Sequence, residues 1–262
     1  MKHIHALLMS AALISTAVPA HAGTVQEGPT KAAAATAQLA ATPPVPAASA
    51  LVPSLIRAPS FAFDFRRPEN PGKRLMVLLH GSGGDETTLM KLARQISPDA
   101  VLLGIRGRVT QDGVTRWYKR LTPTSFDQSD VKSEASAFVS FLKDTSAKLK
   151  LDLDNAIFLG YSNGANLIAA MSVLHPDLIH KAVLLRAMPV LEQAPQADLD
   201  YADILTIGGR SDTLYAPYAP KLEELFRSRG AHVESYMVDS GHSIGDEDAR
   251  LVREWLMAGS AK

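Results

Sequence analysis

The chain has 262 residues, with 27 Lys and Arg against 27 Asp and Glu, and no cysteine. Without a basic stripe there is no electrostatic footprint for nucleic acid, so none is expected as a partner. Without cysteine there is no thiol nucleophile, thiolate metal site or disulfide scaffold.

The first 22 residues read "MKHIHALLMSAALISTAVPAHA", with basic Lys2, an apolar centre over roughly 6–18 and then Ala20-His21-Ala22. Small residues at the first and third positions of that triplet suit signal-peptidase cleavage ahead of Gly23. The apolar run is shorter than the about 20 residues a membrane span needs. A cleaved signal peptide over 1–22 is therefore expected, with a periplasmic or secreted product and no stable membrane insertion afterwards. Ala and Pro supply 16 of the residues from 31 to 60. That composition buries little and is stiffened by its prolines, so 23–59 reads as an extended linker. A single folded domain is expected over 60–262.

Within it, "SFAFDFRR" (60–67) has the period-two pattern of a strand with one buried face. "ENPG" (69–72) is a turn by composition. "RLMVLLH" (74–80) is a continuous apolar run, as in a strand covered on both faces. "TTLMKLARQI" is helical and "AVLLGIRG" (100–107) is a second buried strand. Residues 108–129, with Trp117 and Tyr118, read as a loop. A long helix follows, striped by Val131, Ala135, Phe138, Leu142 and Leu149. Strands are then predicted at 155–160, 181–188, 202–209 and 231–238. The helices between them begin near Asn163 and near 214, and a last one carries Leu251, Val252, Trp255 and Leu256. Alternating strands and helices predict a mostly parallel sheet with helices on both faces. Ligand sites in such sheets lie beyond the carboxyl ends of the strands.

"GYSNG" (160–164) stands at one such end, with a strand before it and a helix after it. G-x-S-x-G at a strand–helix junction is the nucleophile elbow, where the glycines let the two backbones approach. Ser162 is therefore the candidate nucleophile. A serine hydroxyl needs a base to take its proton. His242, in "DSGHSIG", lies just past strand 231–238, and Asp212, in "GGRSD", just past strand 202–209. The order Ser162, Asp212, His242 is that of the α/β-hydrolases. His232 lies at the wrong end of its strand, His175 and His180 at the opposite sheet edge. Asp239 is the rival acid, three residues from the base. An oxyanion hole needs two backbone N–H donors. Asn163, after the nucleophile, is one candidate. Ser82, in "HGSGG" (80–84), is the other, with Gly83 as the fallback. That loop lacks the Lys-Ser/Thr of a phosphate loop. His80 is read as a hydrogen-bonding support of the loop.

"LLHGSGGDETTLMKLARQISPDAVLLGIRG", "GYSNGANLIAAMSVLHP", "GGRSD" and "GHS" together resemble the phospholipase/carboxylesterase branch of the α/β-hydrolases, in particular small bacterial esterases related to dienelactone hydrolases. The likeness spans about residues 60–258. It implies a serine hydrolase of carboxylic esters without cofactor, with the triad at Ser162, Asp212 and His242. No H-E-x-x-H occurs, so no metal is expected. It further suggests that "TRWYKR" (115–120) and "RAMPV" (186–190) border the substrate, Trp117 and Met188 among them. Two features depart from relatives in this branch. Acyl-protein thioesterases carry Gln after the nucleophile, where Asn163 stands here, and 189–201 is too short for a lid domain. Both argue for short or medium acyl chains. Lysophospholipase, thioesterase or lactone hydrolysis are the alternatives, and a non-catalytic binding protein on the same fold is the alternative outside enzymes.

Overall fold

The computed structural model describes residues 55–259. The predicted signal peptide and all of the predicted linker before Leu55 lie outside the described residues. The linker's last residues do not: β1 (Leu55–Arg57) pairs antiparallel with β5 (Val109–Gln111), and Arg57 forms ion pairs with Asp130 and Glu134. The folded unit therefore takes in 55–59, five residues that were expected to be linker.

The expected strands and helices follow, some of them trimmed. β2 (Ala62–Arg66), β3 (Leu75–Leu79), α1 (Met90–Ile96) and β4 (Val101–Arg106) open the fold. The segment expected as a loop then folds into short hairpins. β5 pairs with β6 (Val114–Arg116), and β7 (Arg120–Thr122) with β8 (Ser125–Phe126). The first turns through Asp112 (φ 52°) and Gly113 (φ 75°), two consecutive left-handed residues, as a tight hairpin requires. α2 (Gln128–Leu149) starts at Asp127, whose carboxylate caps the Ser129 and Asp130 N–H groups. β9 (Ile157–Tyr161), α3 (Asn163–Leu174), β10 (Lys181–Leu185), β11 (Asp203–Gly209), α4 (Ala219–Arg227), β12 (His232–Val238) and α5 (Asp246–Ala258) complete it.

Seven strands form one sheet in the order β12-β11-β10-β9-β3-β4-β2, and only β2 runs antiparallel. β3 is buried at all five positions, as its unbroken apolar run requires. One core packs α2, α3 and α4 on one face through Phe138, Leu142, Ile168, Leu222 and Phe226. The other packs α1 and α5 through Met90, Ala93, Val252 and Leu256. Among the described residues no helix is long and apolar enough to cross a membrane. Because β3 and β9–β12 are parallel neighbours, His80, Ser162, Arg186, Asp212 and His242 all follow their strands at the same sheet edge.

Candidate active site

Ser162 sits between β9 and α3 at φ 50° and ψ −116°, a backbone region that non-glycine residues avoid. Its neighbours explain how the turn closes. A Cβ on Gly160 would stand 2.6 Å from the Ala165 Cα, and one on Gly164 would strike the Leu79 and His80 carbonyl oxygens. Strand, elbow and helix can therefore meet only with glycine at both positions. The Ser162 N–H donates to the Leu185 carbonyl of β10 at 2.8 Å, and its own carbonyl starts α3 by accepting from the Asn166 N–H. The strained backbone is held from both sides.

The Ser162 Oγ lies 2.8 Å from the His242 Nε2, and the His242 Nδ1 lies 2.6 Å from the Asp212 Oδ2. The other Asp212 oxygen accepts the Leu214 and Tyr215 N–H groups, at 3.2 and 3.0 Å. Burial alone would raise this carboxyl. The hydrogen bond from His242 and the two backbone donors outweigh burial and hold it below its usual range. The ring of His242 meets the Tyr215 ring edge to face at 4.9 Å and the Tyr161 ring at 5.4 Å. Tyr161 also donates its hydroxyl to the His242 carbonyl at 3.1 Å. Asp239, the rival acid, is a surface residue with its side chain 88 % exposed and paired to Arg210.

Loop 80–84 lies directly against the elbow, since a Cβ on Gly81 would stand 3.5 Å from that of Ser162. The backbone N–H groups of Ser82 and Asn163 have no hydrogen-bond partner among the described residues. At Asn163 this is the ordinary state of the first residue of a helix. His80 fixes the loop: its Nε2 accepts the Gly107 N–H at 2.9 Å, which leaves the Nδ1 proton to donate to the Gly81 carbonyl at 2.6 Å. Burial lowers its pKa and keeps the ring neutral.

The 115–118 segment spans this loop and the elbow. The Thr115 carbonyl accepts from the Gly83 N–H, and the Trp117 N–H donates to the Asn163 Oδ1 at 2.9 Å. The Asn163 side chain is thus the tie between hairpin and elbow. Trp117 corrects an expectation. It is 0 % exposed, packs between Phe61, Phe138 and His80, and donates its indole N–H to the His80 carbonyl. It is not a face for substrate, because its place is the core under loop 80–84. Met188 is also buried, with its N–H on the Asn166 Oδ1. It lines a cavity of about 110 Å³ together with Phe126, Val190 and Tyr218.

Arg186, Asp248 and Arg116 hold roles that the sequence reading did not assign, although the two arginines lie in segments it placed beside the substrate. Arg186, at φ 51°, is fully buried behind the histidine loop. Its guanidinium takes both oxygens of Asp248 at 2.7 and 3.0 Å, and reaches the Gly241 and Ser243 carbonyls on either side of His242. Arg116 reaches the Ser82 hydroxyl at 2.9 Å. The position of Arg186 at a strand's carboxyl end was visible, but its partner lies 62 residues away in α5.

A doubly covered parallel sheet, a strained serine at a strand–helix elbow, and His and Asp on the following loops define an α/β-hydrolase. No family model matches the chain. It is 33 % identical over 184 residues to MhqD of Bacillus subtilis (strain 168), to which a hydrolase role has been ascribed. That match covers 69 % of this chain and 91 % of MhqD. A carboxylesterase from Mesorhizobium loti superposes with a TM-score of 0.74 at 42 % identity, covering 78 % of this chain and 98 % of its own. The Bacillus cereus carboxylesterase does so at 0.73 and 27 %, covering 76 % and 94 %. The chain belongs to the phospholipase/carboxylesterase family of α/β-hydrolases.

Proposed function

We propose that this protein hydrolyses carboxylic esters of short to medium acyl chain through an acyl-enzyme on Ser162. The observation that carries the reading is the unbroken line of hydrogen bonds from the Ser162 Oγ through His242 to Asp212, at 2.8 and 2.6 Å. The esterase relatives support ester hydrolysis as the class of reaction. Among the described residues, the short segment between β10 and β11 holds no helix that could serve as a lid, which supports the modest chain length.

His242 Nε2 takes the Ser162 proton as Oγ attacks the ester carbonyl. The carbonyl oxygen gains the charge and is met by the N–H groups of Ser82 and Asn163. Losing one oxyanion donor costs about 10²–10³ in rate in enzymes of this kind. As the carbon–oxygen bond to the alcohol breaks, His242 returns its proton to the departing oxygen. A water then gives a proton to His242 and attacks the acyl carbon, and Ser162 leaves with that proton. Asp212 holds the Nδ1–H tautomer throughout and stabilises the imidazolium.

Wild type and Ser162→Ala are to be compared on p-nitrophenyl esters of increasing acyl length. The wild type should be active, with its optimum at short or medium chains, and the variant should fall by about 10⁴-fold or more. A fluorophosphonate should label the wild type at Ser162. Retained hydrolysis or labelling in Ser162→Ala would remove the nucleophile assignment.

A further inference from the structure

Arg116 is a buried cation with almost nothing to hold it. The residue is 8 % exposed. Its Nη1 donates to the Ser82 hydroxyl at 2.9 Å, and its Nε is buried without a hydrogen-bond partner. No carboxylate lies within ion-pair distance of it among the described residues. Burial and the repulsion of Arg120 both act against its charge. The opposing influences come from the Tyr118 and Tyr215 hydroxyls and, last, Asp112 in the hairpin turn. Removing a guanidinium from water without a counter-charge is expensive, and arginine cannot escape by losing its proton. The fold nonetheless fixes it there. β6 is tied on one side to the oxyanion loop, by the bond from the Gly83 N–H to Thr115, and on the other to the elbow, by the bond from the Trp117 N–H to Asn163. The guanidinium is therefore one serine side chain from a predicted oxyanion donor. Tyr215, whose hydroxyl adjoins the Ser162 and Asn166 side chains, belongs to the same surroundings.

We infer that Arg116 is the receptor for a carboxylate on the acyl part of the substrate, so that the preferred esters are half-esters of short dicarboxylic acids. A carboxylate a few bonds from the reacting carbonyl would supply the counter-charge that the fold does not give this guanidinium, a group that pairs well with carboxylates. Arg120 adds a second positive charge nearby. A purely aliphatic acyl group would instead leave the buried cation unpaired. The inference rests on the esterase reading of Ser162 and adds the chemical class of its substrate.

The test is a ratio. The p-nitrophenyl half-ester of glutaric acid is compared with the same compound methylated at its free carboxylate, and kcat/KM for the first is divided by that for the second. Wild type should favour the free acid by about 10- to 100-fold, the worth of one hydrogen bond to a charged group. In Arg116→Met the ratio should fall to about one or below, and Arg116→Lys should recover part of it. A residue that only braces Ser82 would slow both esters alike and leave the ratio unchanged. That result, or a wild-type ratio of one or less, overturns the inference. Ser162-dependent hydrolysis of the methylated ester would meanwhile leave the esterase reading standing. If the wild type cleaves neither ester, the esterase reading fails, and glutarate itself becomes the probe. Calorimetric binding to wild type that Arg116→Met loses would support the anion site, and absence of binding would overturn it.

Discussion

Two arginines are buried at the same edge of the sheet, one behind His242 and one beside loop 80–84. Arg186 is saturated. Its three nitrogens meet both oxygens of Asp248, the Ser240 hydroxyl and the carbonyls of Ile207, Gly241 and Ser243. Arg116 has the Ser82 hydroxyl and a bare Nε. The first guanidinium is consumed by the fold. It gathers the loop that carries His242 onto α5, while Asp248 also reaches back to the Gly245 N–H and caps that helix. The second has no carboxylate within ion-pair distance among the described residues. Burial by itself therefore says little about what a charged side chain does, and the count of its internal partners says more.

The largest effect expected from breaking this contrast comes at Asp248. Asp248→Ala leaves the Arg186 charge buried and unpaired, which costs about 3–5 kcal/mol when one partner of such a pair is removed. Denaturant melts of the variant should shift by that amount, and esterase activity should fall as the His242 loop loses its clamp. A melt within about 1 kcal/mol of wild type would mean that Arg186 is not the clamp described.

Arg116→Met makes the opposite perturbation. It removes a charge that already lacks a counter-charge and leaves a side chain of similar length in its place. Replacing buried charge by apolar groups is commonly neutral or stabilising. The expected change in stability is therefore between zero and about 2 kcal/mol in the stabilising direction. The same chemical melt that reads Asp248→Ala reads this variant. A loss on the scale of Asp248→Ala would place both arginines in the same structural class and end the comparison.

This contrast also marks what could be read in the sequence. Ser162, His242 and Asp212 were legible because strand-end position and chain order are both local pattern signals, and the described structure brings the three within hydrogen-bond range. The hairpins over 109–126 were read as loop although Asp112-Gly113, set between Val109 and Val114, is a known hairpin signal. The short β-branched flanks were too brief to register as strands. Trp117 was placed beside the substrate through the resemblance of its segment "TRWYKR" to the esterases, while its burial depends on Phe61 and Phe138, which are far from it in sequence. The roles of Arg186 and Arg116 depend on partners 62 and 34 residues away, one present and one lacking. No periodicity reports such a pairing, and still less its absence.

His80 supplies the intermediate case and the smallest effect. It is buried like the two arginines and has two backbone partners, the Gly81 carbonyl and the Gly107 N–H. Unlike arginine it can give up its charge, and burial depresses its pKa so that the folded protein holds it neutral. The sign of the pH effect follows. Below the unfolded value of about 6.5 the unfolded chain takes up a proton at this ring and the folded chain does not. Stability from His80 is thus complete above that value. It declines as pH falls toward the lowered folded pKa, with a slope approaching about 1.4 kcal/mol per pH unit. His80→Gln cannot take up that proton in either state. Its stability should be lower at pH 8 by about 1 kcal/mol for the altered hydrogen bonds, yet decline less steeply between pH 6.5 and 5. Parallel curves for the two proteins would show that the ring is not held neutral. Loop 80–84 would then carry a buried cation of its own rather than a neutral brace, and Arg116 would no longer be the one unpaired charge beside Ser82 among the described residues.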